Sequence, residues 1–247
     1  MLHFHNLTLG YARHPVVHHL HGHIPAGSLL AVIGPNGGGK STLLKGILGQ
    51  LPPLEGNIEL AIPRNQIGYL PRQSRIDRQF PVTVREVVAM GLWRHCGLFG
   101  RLAHPQRRKI DGALERVGLA GMADASLDAL SGGQLQRALF ARLCLQEAPL
   151  MLLDEPFSAI DTQTSEDLLA LLREWQAEGK TLIAVLHDMH QVSRHFPQAM
   201  LLAREVIAWG ATETVVTEAN LNRARGLPTA PNPDARECHR PTPEHAE

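Results

Sequence analysis

Three short runs of the chain are apolar without interruption: "SLLAVI", "PLMLLD" and "TLIAVLH", ending at Ile33, Asp154 and His187. Runs of this length suit strands covered on both faces in a parallel sheet. Helical patterns lie between them. "GKSTLLKGIL" follows the first run, and "TQTSEDLLALLREWQAEG" joins the second to the third, with Leu168, Leu169, Leu172 and Trp175 at helical spacing. Strands alternating with helices predict βαβ units. At the N-terminus, "LHFHNLTL" and "VVHHLHGHI" read as a further, antiparallel β portion ended by Gly or Pro. From about Val82 to Leu145 the pattern is helical with no buried-strand run, so a helical subdomain is expected within the α/β core. From Gly226 onward five prolines and few apolar residues predict a disordered tail, leaving 1–225 as the folded unit.

The 247 residues are 44% hydrophobic, enough for a buried core. Lys+Arg and Asp+Glu both number 24, giving zero formal net charge, which disfavours nucleic acid as a partner. Cys96, Cys144 and Cys238 are widely spaced and odd in number, which suits a reducing compartment. The first residues lack the apolar core of a signal peptide, and no apolar run is long enough to cross a bilayer. A soluble chain that could sit on a membrane partner is expected.

The first chemical motif is "GPNGGGKST": Gly34, Pro35, Asn36, Gly37, Gly38, Gly39, Lys40, Ser41 and Thr42. It fits G-x-x-x-x-G-K-[ST] after a strand and before a helix, the setting of a phosphate-binding loop. Glycines let backbone N–H groups converge on phosphate oxygens, and the helix N-terminus adds partial positive charge. Lys40 would reach the β- and γ-phosphates, Ser41 would ligate Mg²⁺, and Thr42 would add a contact on the α-phosphate side. Nucleotide binding follows from this loop, but not the reaction.

"LMLLDEP" places Asp154 and Glu155 at the end of a buried strand. Adjacent residues of an extended chain point apart. Asp154 is the expected Mg²⁺ ligand, and Glu155 is expected to orient or deprotonate the attacking water. His187, at the end of the third run, would sit at the same sheet edge if the strands are parallel neighbours, within reach of the γ-phosphate and the water. The plainer reading of each is a polar strand end.

"GPNGGGKST", "LSGGQLQR", "LMLLDEP", "SAID" and "AVLHD", in this order, resemble the nucleotide-binding subunits of ABC transporters, to about Leu221. The resemblance implies a P-loop NTPase fold of the ABC ATPase type. In "LSGGQ", Ser131 and Gln134 also form an S-x-x-Q capping box, so a well-capped helix start is the bland alternative. The resemblance implies that Ser131, Gly132, Gly133 and Gln134 complete an ATP site on a second subunit. Two copies would then pair around a two-fold axis with ATP in the interface. Asp161 of "SAID" would cross the same interface. Tyr11 matches the aromatic that stacks on adenine. The partners implied are a second copy, integral membrane permease subunits and, indirectly, a periplasmic or extracellular solute-binding protein. The place implied is the cytoplasmic face of the cell membrane.

One segment departs from the family pattern. The family's glutamine, which contacts Mg²⁺ and water and links core to helices, directly follows a proline. In "YLPRQS", Arg72 stands there and Gln73 comes next. Arginine offers only donors and cannot ligate a cation, so Gln73 is the expected catalytic and Mg²⁺-contacting residue. "DRQFPVTVREVVAMGLW" is similar to zinc and manganese importer subunits, with iron-chelate importers as the alternative cargo and a non-transport ABC ATPase as the remoter one. The chain is also rich in histidine near its start. His19, His21 and His23 would share a strand face, a zinc-binding arrangement or merely a polar exposed face. Cys238, His239 and His245 in the tail are a weaker option.

Overall fold

The computed structural model describes residues 1–12, 14–96 and 103–226. Strands β1 (Leu2–Tyr11), β2 (His14–Ile24) and β3 (Leu29–Ile33) come first, then helix α1 (Lys40–Ile47). Strands β4 (Glu55–Leu60) and β5 (Ile67–Leu70) precede helices α2 (Val84–Ala89), α3 (Trp93–Cys96), α4 (His104–Arg116) and α5 (Gly132–Leu145). The chain continues through β6 (Leu150–Asp154), α6 (Thr162–Ala177), β7 (Thr181–Val185) and α7 (Met189–His195). It closes with β8 (Gln198–Ala203), β9 (Glu205–Ala211), α8 (Thr212–Val215) and α9 (Glu218–Gly226).

A six-stranded sheet runs β5-β6-β7-β3-β8-β9, parallel except for β9, which pairs antiparallel with β8. Every residue of β3, β6 and β7 is buried. Alternate side chains enter different cores, as the two-residue strand period requires. Leu29, Ala31 and Ile33 face the same core as α5 and α6, with Met151, Leu153, Leu182 and Ala184. Leu30 and Val32 face the other core with Leu150, Leu152, Ile183 and Val185, together with α1 and Phe4, Leu7 and Leu9 of β1. Two-sided burial is the reason these strands carry no polar alternation.

The second core is roofed by a three-stranded antiparallel sheet, β2-β1-β4. Within residues 84–145 the described chain forms helices and no strand, apart from one isolated bridge, Thr83 to Ser126, just before α2. Helix α6 buries Leu168, Leu169, Leu172 and Trp175, the four positions that its spacing predicts. Trp175 stacks on Phe140 of α5 at 5.9 Å between ring centres.

The sequence reading named neither β4, β5, β8 nor β9. "EGNIEL" is polar and only partly covered, so it owes its extended form to pairing with β1 rather than to its own pattern. The histidine pattern also differs from expectation. Asn6 and His19 have positive φ (46° and 45°) at register shifts between β1 and β2. Such bulges add one residue and turn the alternation over. His21 and His23 are exposed, but His19 leaves their face and its Nδ1 lies 3.1 Å from Asn6 Oδ1. Among the described residues no group of three or more His, Cys, Asp or Glu side chains could hold a metal ion. Of the two readings of His19, His21 and His23, the zinc-binding arrangement is therefore not formed among the described residues. Gly226 ends α9, and the rest of the expected tail, with Cys238, His239 and His245, lies outside the described residues.

Candidate nucleotide site

The loop between β3 and α1 leaves no room for a Cβ at three of its positions, Gly34, Gly38 and Gly39. Gly34 has φ 145°, and a Cβ there would lie 2.0 Å from the Leu202 carbonyl oxygen of β8. Gly39 caps α1 in a left-handed conformation at φ 95°, where a Cβ would lie 2.6 Å from Val17 of β2. Between them Pro35 is half-buried and Asn36 and Gly37 are exposed, while the Gly38 N–H donates to the Pro35 carbonyl at 3.1 Å. Lys40 is buried, and its Nζ donates to the carbonyl oxygens of Gly34 and Pro35, 2.8 Å each. Burial pushes the Lys40 ammonium down to about 8; Glu155 and Asp154 pull the other way and Arg72 adds to the fall. Thr42 is buried in the first turn of α1, and Ser41 beside it is half-buried.

β6 delivers the carboxylates to this loop. Asp154 is wholly buried, with both its oxygens 3.5 Å from Ser41 Oγ. Glu155 leaves the strand with φ 51°, left-handed and uncommon for a side chain with a Cβ. Because of that turn the two acids do not diverge as adjacent residues of an extended chain would. One guanidinium, Arg72, reaches both: Nε lies 3.1 Å from Asp154 Oδ1 and Nη2 lies 2.6 Å from Glu155 Oε1. β7 lies between β6 and β3. His187 follows its end, and its Nε2 contacts Glu155 Oε1. A cavity of about 320 Å³, lined by Glu155, Ser158, His187 and Gln191 among others, lies beside Glu155.

Gln73 does not reach the carboxylates. Its Nε2 donates to the Gly132 carbonyl at 2.8 Å and to Gln136 Oε1 at 2.9 Å, both on α5. The position expected for it is held by Arg72, whose Nη2 also donates to Ser41 Oγ at 3.3 Å. The physical reason is charge: next to two acids a cationic fork outcompetes a neutral amide. Gln136, buried and donating to the Pro156 carbonyl at 2.6 Å, was not singled out from the sequence. A lone glutamine in a helix carries no signal of burial.

Ser131 and Gln134 form the expected capping box. Ser131 Oγ accepts from the Gln134 N–H at 3.2 Å, and the Ser131 N–H donates to Gln134 Oε1 at 2.8 Å. Ser131 is exposed, and Gly132 and Gly133 are half-exposed at the start of α5. Asp161 caps α6, accepting from the Thr164 N–H at 2.8 Å. Hydrogen bonds from Thr164 hold its carboxyl below the usual carboxylate range. Tyr11 is 43% exposed. Lys45 of α1 lies 5.2 Å from its ring centre and donates to its hydroxyl at 3.1 Å. That lysine, too, was not visible in the sequence, since α1 packs against β1 only in the fold.

The ABC transporter family profile matches residues 17–158. The chain is 39% identical over 226 residues to the zinc transport system ATP-binding protein TroB of Treponema pallidum, covering 90% of this chain and 85% of that one. It is 36% identical over 225 residues to the manganese transport system ATP-binding protein MntB of Listeria monocytogenes, covering 89% and 94%. It is similar to an inward-facing metal-chelate type ABC transporter structure, with a TM-score of 0.81 and 32% identity over 92% of this chain and 89% of that one. With the phosphate loop, the carboxylates and the capped "LSGGQ" helix in place, the chain belongs to the ABC transporter family, as an ATP-hydrolysing, ATP-binding subunit.

Proposed function

We propose that this chain powers the import of a divalent transition metal, zinc or manganese, from the cytoplasmic face of a cell membrane. One observation carries the cargo: kinship with zinc- and manganese-system ATP-binding proteins across about nine-tenths of the chain. A metal chelate, such as an iron complex, is the second reading, favoured by the likeness to a metal-chelate type transporter. Among the described residues no helix is long and apolar enough to cross a membrane, and we assign the path for the cargo to partner subunits. Cassettes of this family pair and work with membrane permease components. We assign 1–225 to the cassette, with its helices between about 82 and 145 as the subdomain facing the permease. Phe80 and Trp93, 58% and 49% exposed, belong to the segment that would dock there.

The site's chemistry follows from its donors. Ser41 Oγ and the Asp154 carboxylate are hard oxygen ligands flanking one point, which fits Mg²⁺. When bound, Mg²⁺ would neutralise charge on the β- and γ-phosphates of ATP. Lys40 turns its ammonium from the loop carbonyls to phosphate oxygens. Backbone N–H groups of the loop and of the start of α1 face the phosphates, and Tyr11 stacks on adenine. Glu155 takes a proton from water, and His187 orients Glu155 and the γ-phosphate. Ser131, Gly132, Gly133 and Gln134 close the site of a second copy, and Asp161 lies at the same interface. A two-fold pair therefore needs one of each motif per chain. ATP closes the pair because its γ-phosphate touches both copies, and hydrolysis releases it.

Copurification and reconstitution test this reading. The chain should bring down a polytopic membrane protein, and the complex in proteoliposomes should take up Zn²⁺ or Mn²⁺ with ATP. Uptake of a ferric chelate with neither ion would move the assignment to the second reading. Retrieval of no membrane protein would overturn the transport role.

A further inference from the structure

We propose that Arg72 is a built-in counter-cation at the Mg²⁺ position, and that Arg72 and Mg²⁺ compete for that position. The inference rests on the Mg²⁺-dependent reading above. Arg72 contacts both groups that flank the metal position and also the base beside them. Its Nε lies 3.1 Å from Asp154 Oδ1, and its Nη2 lies 2.6 Å from Glu155 Oε1 and 3.3 Å from Ser41 Oγ. Arg75 adds a weaker charge, 3.8 Å from Asp154 Oδ2. The Asp154 and Ser41 oxygens are the ones a hard divalent ion would use.

The arrangement has a physical cause. Asp154 is fully buried, and a buried carboxylate without a countercharge is costly. A planar guanidinium can span two acids where an amide cannot. The same fork cannot share those lone pairs with Mg²⁺, because each N–H donor occupies an oxygen that the ion needs, and the two cations repel. Arg72 and Mg²⁺ are therefore alternatives at one place. Two effects follow by linkage. Without the metal, Arg72 screens the carboxylates from incoming phosphates and supports nucleotide binding. With the metal, its displacement subtracts from the affinity gained. The Mg²⁺ response of nucleotide affinity is thus smaller in this chain than in one with glutamine at 72.

The test measures AMP-PNP affinity by calorimetry on the full chain, once in EDTA and once in Mg²⁺, so that no turnover is involved. The ratio of the two dissociation constants should rise about tenfold or more in Arg72→Gln, mainly through weaker binding in EDTA. Arg72→Lys keeps a charge and should stay within about threefold of the wild-type ratio. Equal ratios in the wild type and Arg72→Gln would overturn the proposal. If Mg²⁺ changes AMP-PNP affinity in neither protein, the Mg²⁺ reading of the site itself fails.

Discussion

Lys40 Nζ donates to the Gly34 carbonyl oxygen over 2.8 Å, so the backbone of the phosphate loop supplies an acceptor to its own lysine. The ammonium is buried, and its pKa is pushed down to about 8. Triphosphate beside it would raise that value, so binding takes up a proton above about pH 8. ATP affinity should then fall as pH rises through about 8 to 10, by up to about tenfold per pH unit. Lys40→Gln should bind more weakly and lose this dependence. AMP-PNP titrations between about pH 7 and 9.5 measure both. The same shift predicts that the nucleotide-free fold gains stability from about pH 8 to 10.5, where the unfolded chain holds a proton that the folded one has shed.

Glu155→Gln keeps the shape of the site and removes the base. It should bind ATP and slow phosphate release by about a hundredfold or more. The paired, ATP-loaded state should persist on size exclusion with light scattering. Rapid turnover in this variant would remove Glu155 from the mechanism.

Ser131→Arg tests the second-copy role of "LSGGQ". The exposed hydroxyl lies at the start of α5, where a bulky cation would block a facing phosphate. Monomer affinity for nucleotide should stay within about twofold, since the loss falls on the pair, and turnover should vanish. Weakened binding by the monomer would show that Ser131 serves its own chain's site.

Gln73→Ala removes the donor to Gln136 Oε1, a buried acceptor on α5. Leaving that oxygen unpaired should cost about 1–3 kcal/mol, read as a lower urea midpoint with unchanged slope. An unmoved midpoint would mean that the loop is not fastened to α5 in solution.

Much of the site was legible because its parts are local. "GPNGGGKST" needs only its neighbours to form a loop, since left-handed turns and a helix start are set within a few residues. The Ser131–Gln134 box is likewise a contact across three positions, and it forms as its spacing predicts. The core strands were legible for a different reason: burial on both faces removes polar residues from the run itself. "EGNIEL" had no such mark, because β1 supplies its hydrogen bonds from more than forty residues away.

By itself the sequence determined the three buried core strands and the helices between them, the phosphate loop, the acids at the end of β6, the helix cap at Ser131 and the kinship these motifs carry. The tertiary structure decided which side chains meet. It placed Arg72, not Gln73, against Asp154 and Glu155, and sent Gln73 to α5. It also broke the histidine alternation with bulges at Asn6 and His19. The division has one cause. Backbone conformation answers to neighbours in sequence, whereas the pairing of charges and the register of strands answer to groups brought close only when the sheet has formed.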